Sequence, residues 1–490
     1  MNKKTVIVIG AGIGGLSAAA LLAKEGYKVT VIEKNETYGG RAMVFQEKGY
    51  TFDMGPSWYL MPEIFEQFFE LFGKKTSEYY KLVKLDPGYR IFFSQKEYID
   101  ITPDLEKNIQ TFEKIEKGSG TKLRQYLKAS EYKYKISIKE FIFKEYRSIL
   151  DFVKLKYIKE LNRLGLTSSI SSYVNKFFKS DKLRRIMQYS IVFLGGSPQN
   201  TSAIYSLISH LDFNQGVYYP IGGIGQLTKA MYELCLELAV EFKFSTSASS
   251  IRVDNKIAKS VLTNNKEYFA DQIIVNADYQ FAETKLLEEK YQTFAKDYWS
   301  KKVLAPSAFI IYLGLKRKIP NISHHNLIFE NDWIEHFKDI FVNMKFPEKP
   351  SYYICAPSTS DDTVAPKGSE NLFILVPIPS GISDTEELRK IHRGKIFADL
   401  RKYLGDNFED DIEVEKIISL NDYSHLYNAY KGSALGLSHT MFQSTLWRPS
   451  HRSKKVTNLY YTGQYTNPGI GMAMCTISSQ IAVNEMKKHV

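Results

Sequence analysis

The sequence predicts an α/β protein: an open parallel sheet built from the two ends of the chain, a second, mixed sheet woven into it, and a helical stretch between them. Three observations predict it. Thr5 to Ile9 is an apolar, β-branched run that passes through Gly10-Ala-Gly12-Ile-Gly14-Gly15 into small and apolar residues at helical spacing, Leu16 to Ala23. The same strand, glycine turn and helix return near the other end, as Leu459 to Gly463, a glycine–proline turn, and Ala473 to Met486. From Leu105 to about Phe178 the pattern is helical with few Pro or Gly, whereas Leu82 to Ile101 before it and Pro306 to about Leu420 further on read mostly as strands.

The first unit carries a ligand signature. Gly10 permits a tight turn, Gly12 lets the backbone come close to a pyrophosphate, and Gly15 lets the helix approach the sheet. An anionic pyrophosphate is favoured where the helix offers unpaired N–H groups. A second strand, Lys28 to Ile32, ends at Glu33. An acidic side chain about twenty residues past the glycines grips a ribose hydroxyl and disfavours a 2′-phosphate. Strand, glycines, helix and acid together predict a Rossmann-like unit holding a dinucleotide.

Composition narrows the class. At 490 residues the chain predicts two or more domains with a large core. Net charge is +11, from 65 Lys and Arg against 54 acids. No nucleic-acid motif accompanies that charge, which leaves an anionic membrane surface or compositional bias. Three widely spaced cysteines, Cys235, Cys355 and Cys475, argue against a disulfide framework and a zinc site and fit a reducing compartment; no metal is expected. The N-terminal apolar run is too short for a signal-peptide core, and no stretch reaches the eighteen apolar residues of a spanning helix. Any membrane attachment is therefore expected to be peripheral.

In chain order, Glu63 to Phe72 reads as an amphipathic helix started by Pro62 and stopped by Gly73. Tyr89 to Phe93 and Tyr98 to Ile101 read as two strands of the second sheet. Lys122 to Arg163 interleaves lysines with bulky apolar residues, as in Tyr132 to Ile136, Phe141 to Lys144 and Phe152 to Ile158. Such helices either lie in a bilayer interface or cover a cavity with their lysines solvated. Further helices are predicted over Ala203 to His210 and Leu227 to Leu238, and a hairpin over Phe244 to Thr263. Ile273 to Val275 is a short buried strand ending in Asn276, at the sheet end where ligands of open α/β sheets bind. Strands are predicted at Ala308–Leu315, Asp339–Val342, Tyr352–Cys355 and Leu372–Pro377, with a helix from Asp384 to Tyr403.

The motifs resemble a family. Glu33-Lys34 followed by Gly39-Gly40-Arg41 is similar to the pattern of two-dinucleotide-binding flavoproteins, and Phe52 to Ser57, with Gly55, looks like that group's next landmark. Tyr219-Pro220 with Gly222-Gly223, Asn276-Ala277-Asp278, Asn428 to His439, Trp447-Arg448-Pro449 and the Gly463 to Met472 turn resemble, in order and along the whole chain, the bacterial and fungal phytoene desaturases. The resemblance implies FAD and a long polyene substrate. It also implies hydride transfer to the flavin with proton loss from the neighbouring carbon, and reoxidation by a quinone or oxygen. By position it implies cofactor contacts from Gly10, Gly12, Gly14, Gly15, Glu33, Lys34, Gly40, Arg41, Gly55, Ala248, Asn276, Gly463, Gly471 and Met472. Gln464 stands where many flavoproteins have an acid. His439 is a candidate base because histidine titrates near neutrality, with a structural role as its alternative.

The expected organisation is an FAD domain from 1–75, 215–290 and 436–490, a substrate domain from 76–104 and 291–435, and a helical cap from 105–214. Four other readings remain at this level: a dehydrosqualene or carotenoid 3,4-desaturase, a carotenoid oxygenase or isomerase, a flavin amine oxidase linked through Cys475, and a non-catalytic flavin-binding protein of the membrane surface. The expected location is the cytoplasm, at the inner face of the cell membrane.

Overall fold

Val6 to Ile9 are buried, as a central parallel strand flanked on both faces requires. The structure, a computed structural model, describes residues 3–146, 161–295, 297–330 and 332–489. Thr5–Ile9 lies in the middle of a five-stranded sheet whose order is Leu459–Tyr461, Gln272–Val275, Thr5–Ile9, Lys28–Ile32, Glu241–Lys243. All four pairings are parallel. Three strands distant in sequence thus assemble on the N-terminal unit. The helices Ile13–Lys24, Gly225–Glu237 and Met472–Lys487 pack together on this sheet.

The second sheet has seven strands, in the order Ile412–Ile418, Ser307–Leu315, Glu370–Ile378, Tyr352–Cys355, His325–Ile328, Tyr89–Ser94, Glu97–Ile101. It is mixed: His325–Ile328 runs parallel to Tyr89–Ser94 and the other neighbours are antiparallel. Ser307–Leu315 is buried at every residue, so it reads as an unbroken apolar run instead of an alternation.

Three sequence expectations change. Asp339 to Val342 is helical, not extended: Trp333–Lys338 runs on into a wide helical turn, Asp339–Asn343. Asp332 starts that helix by accepting from the Ile334 and Glu335 N–H groups, and Val342 faces solvent, so the β-branched run never enters a sheet. His325–Ile328 is a strand that the polar His-His-Asn start conceals. Lys133, expected among the solvated lysines, is fully buried: its ammonium donates to Ala203 O (2.9 Å) and Ser206 Oγ (2.8 Å) and sits 3.7 Å over the Tyr173 ring. Burial lowers its pKa to about 7. Within the basic region, Ser119–Ile136 is a helix with Lys128 and Lys135 exposed, while the Phe152 to Ile158 stretch lies outside the described residues.

Candidate functional site

A cavity of about 900 Å³ opens where the parallel sheet's carboxyl ends meet the mixed sheet. Its first part is the glycine turn. Gly10 has φ +101°, which only glycine adopts without strain. A Cβ on Gly14 would lie 2.5 Å from Asn276 Oδ1 and 3.4 Å from Thr462 Oγ1, so the N-terminal turn, the inner strand and the C-terminal strand converge on one point. Gly12 bridges to Gly39, and a Cβ on Gly40 would lie 3.1 Å from Gly12 Cα. Residues 10–15 and 463–472 therefore meet, and both line the cavity.

Glu33 stands at the end of the second strand. One carboxylate oxygen accepts from Ala11 N–H (2.7 Å), the other from Asn35 N–H and Nδ2 (both 2.9 Å). Burial raises its pKa, against the pull of these donors. Lys34 Nζ donates to His425 O and to Asn428 Oδ1 (3.2 Å), which ties the second strand to the Asn428 motif. Gly55 sits over the Arg41 carbonyl, where a side chain would not fit. Ala248 begins a strand and lines the cavity beside Thr246 and Ser247. Gly471 precedes Met472–Lys487, a sixteen-residue helix whose first four residues line the cavity.

Among the buried donors in this region, Arg41 Nε and Gln464 Nε2 have no partner. Arg41 is held on three other sides, by Asp278 (3.8 Å), Ser433 O (3.5 Å) and the Tyr427 ring (5.4 Å). Orphaned donors beside a glycine turn fit a ligand rich in anionic and carbonyl acceptors, as the diphosphate, ribitol and ring of FAD are. The residues therefore fit the group, which would supply hydride-accepting chemistry. Gln464, in the place of an acid, supplies a donor.

Beyond the glycine turns the cavity is walled by Trp58, Tyr189, Leu327, Phe329, Trp333 and Leu375 among others. The described part of the basic region contributes Tyr134, Ile138, Phe141 and Ile142 to the same wall. Among the described residues, the charged side chains lining the cavity are Glu33, Lys34, Arg41 and Asp278, all at the glycine-turn end.

His439 also lines the cavity, and both its ring nitrogens are engaged. Nε2 accepts from Ile470 N–H (3.2 Å), and Nδ1 pairs with Tyr205 Oη (2.7 Å). Burial, with the nearby Arg448 charge, holds its pKa well below the usual value, so the ring is neutral. Cys475, in the first turn of the last helix, reaches the cavity, and burial pushes its thiol up to about 12.

Several residues escaped the sequence. Asp278 anchors Arg41 and caps the following turn, accepting from Gln280 N–H (3.1 Å). Ser478 Oγ gathers Gly463 N–H (2.9 Å), Thr462 Oγ1 (3.1 Å) and Thr466 Oγ1 (2.8 Å) beneath the C-terminal turn. Behind it His451 Nδ1 is hydrogen-bonded to Glu145, both side chains buried, and Nε2 reaches Asn467 O (2.9 Å). His324, His325 and Cys355 also lie together, buried, with ligand-type atoms within 4.8 Å of one another. The two Nδ1 atoms pair with Ser360 Oγ and Tyr353 Oη (2.6 Å each), and Trp58 stacks on His325 at 4.4 Å.

Comparison with known proteins agrees with this geometry. The model of the flavin-containing amine oxidoreductase family matches residues 13–487. A carotenoid 3,4-desaturase of Haloarcula japonica is 43% identical over 98% of this chain and 97% of its own. A zeta-carotene-forming phytoene desaturase of Myxococcus xanthus is 32% identical over 99% and 94%. Among solved structures, a putative protoporphyrinogen oxidase of Exiguobacterium shares the fold at a TM-score of 0.64, with 14% identity over the full length of both chains. FAD is the cofactor that this family and this cradle take. The chain belongs to the flavin-containing amine oxidoreductases, and within them to the carotenoid desaturase group typified by the phytoene desaturases.

Proposed function

We propose that the protein is an FAD-dependent desaturase that inserts a C=C bond near the end of a long polyisoprenoid, in a 3,4-desaturation of a carotenoid. One observation carries the reading: among the described residues the charged side chains lining the cavity all lie at the cofactor end, and the rest of the wall is mostly aromatic and aliphatic, its polar members being hydroxyls, amides and neutral histidines. A hydrocarbon offers no polar handle, so shape and apolar contact must position it. An amine substrate would enter as a cation and leave its charge unpaired against Trp58, Leu327 and Leu375. The same wall excludes water from the reacting carbon. The greater identity to the Haloarcula 3,4-desaturase than to the phytoene desaturases favours an end-group reaction.

A membrane-surface location goes with this substrate. Phe442 is 79% exposed and Trp447 50% exposed, on the loop whose Met441, Leu446 and Trp447 also line the cavity. Bulky apolar side chains at a cavity mouth suit entry from a lipid layer. Among the described residues no helix is long and apolar enough to span a membrane. A quinone in that layer, or oxygen, takes the electrons.

Expression in cells that accumulate lycopene, and in parallel phytoene, tests the assignment. The expected result is a pigment of longer conjugation from the lycopene cells. Unchanged pigment in both, from cells holding flavin-loaded protein, overturns it.

A further inference from the structure

Arg448 is 5% exposed and carries a charge that no carboxylate balances among the described residues. Its guanidinium spends its donors on carbonyls. Nε donates to Tyr465 O and Thr466 O (3.2 Å each), Nη1 to Gln443 O (3.2 Å), and Nη2 to Gln464 O. Three of these four carbonyls belong to the turn after Gly463, and a Cβ on Gly469 would lie 3.2 Å from Arg448 Cζ. The turn's other face lines the cavity through Gln464, Asn467, Ile470 and Gly471. Arg448 is thus separated from the cavity by one thickness of backbone. The neighbouring ring, His439, is held neutral, and it fixes Ile470 on the same turn. Burial lowers the guanidinium's pKa to about 10, still above neutrality.

A buried, unpaired cation is costly and persists where something profits from its field. A flavin accepting a hydride gains negative charge on its ring, and charge near that ring tunes its electronics. Resting on the FAD reading above, we propose that Arg448 is a positioning residue whose buried charge, acting through the Gln464–Met472 turn, stabilises negative charge on the bound flavin and so favours hydride acceptance.

Sulfite tests this on the holoprotein. Its sulfur lone pair forms a bond to flavin N5 and the displaced electron pair stays on the ring, so the bleached adduct reports the stabilisation of negative charge without any substrate. Loss of a buried unit charge one layer of backbone from the cavity, in an effective dielectric of about 20, predicts a sulfite Kd weaker by roughly tenfold or more in Arg448→Gln. The two-electron midpoint potential should fall by about 30 mV for each tenfold. Arg448→Lys, which keeps the charge and loses the fork, should stay within about threefold of wild type, and it decides the matter if Arg448→Gln does not retain flavin. A wild-type holoprotein that forms no adduct, an Arg448→Gln variant with unchanged Kd and potential, or a lysine variant as weak as the glutamine one each overturns the proposal. Protein that purifies without flavin in the wild type would instead sink the FAD reading itself.

Discussion

Gly15 offers the sharpest test of the cradle. It lies in the first turn of Ile13–Lys24, with ordinary helical φ, so propensity alone favours alanine there by at most about 1 kcal/mol. Space opposes it. A Cβ would overlap the Gly10 carbonyl oxygen and lie 3.1 Å from the carbonyl carbon. Both atoms are backbone and cannot rotate aside, so the helix must withdraw from the strand by roughly 1 Å to restore contact distance. Overpacking of this kind costs about 1–3 kcal/mol, and a backbone clash sits at the upper end. The net loss expected for Gly15→Ala is therefore about 2 kcal/mol, concentrated where the diphosphate binds. Gly26→Ala is the control: φ is +88° but nothing lies within 4 Å of the added carbon, so it should lose about 1 kcal/mol from backbone strain alone. Flavin-to-protein ratio and Tm, measured on both, separate the effects. Gly15→Ala should purify largely without flavin and Gly26→Ala with a full complement. A fully yellow Gly15→Ala protein with wild-type Tm would refute the close helix–strand approach and the cradle built on it.

Other outcomes follow from named groups. Asp212 is buried between Tyr89 (3.0 Å) and Tyr189 (2.8 Å), and burial pushes it up to about 7. An acid raised above its unfolded value contributes stability that is complete below about pH 4 and lost as pH climbs through 7, on the order of 4 kcal/mol. Asp212→Asn should flatten the fall in Tm between pH 5 and pH 8; parallel curves for both proteins would count against it. Mild acid precipitation should release all the flavin, and Cys475→Ser should stay yellow; colour retained in the pellet would show a covalent link at that thiol. Phe442→Ser with Trp447→Ser should reduce sedimentation with liposomes several-fold at unchanged flavin content; equal sedimentation would place the membrane contact elsewhere.

The parts legible in the sequence are those whose chemistry is local. A strand, a glycine turn and a helix N-terminus are contiguous, so Gly10 to Gly15 and Gly463 to Met472 announce themselves. What escaped is made by distant residues. Arg448 acquires meaning only because the carbonyls of 464–466 turn toward it, which no side-chain pattern records. Lys133 is indistinguishable in sequence from its solvated neighbours until the Tyr173 ring and the Ala203 carbonyl are brought to it. Asp339–Val342 has strand propensity, yet the capped helix before it carries the backbone past that preference. The strand at His325–Ile328 is hidden because its polar side chains find their partners only in the fold, Asn326 in Ser323 and Ile354 and His325 Nδ1 in Tyr353 Oη.

The order of the parallel sheet bears on how the protein is made. Its outer strand, Leu459–Tyr461, pairs with a strand almost two hundred residues earlier, and the helix after it packs on the first helix of the chain. A ribosome that has synthesised everything before residue 459 holds a chain with half a cofactor clamp. Flavin capture is then a late event in biogenesis, and nascent chains stalled upstream of that strand should be colourless and open to proteases.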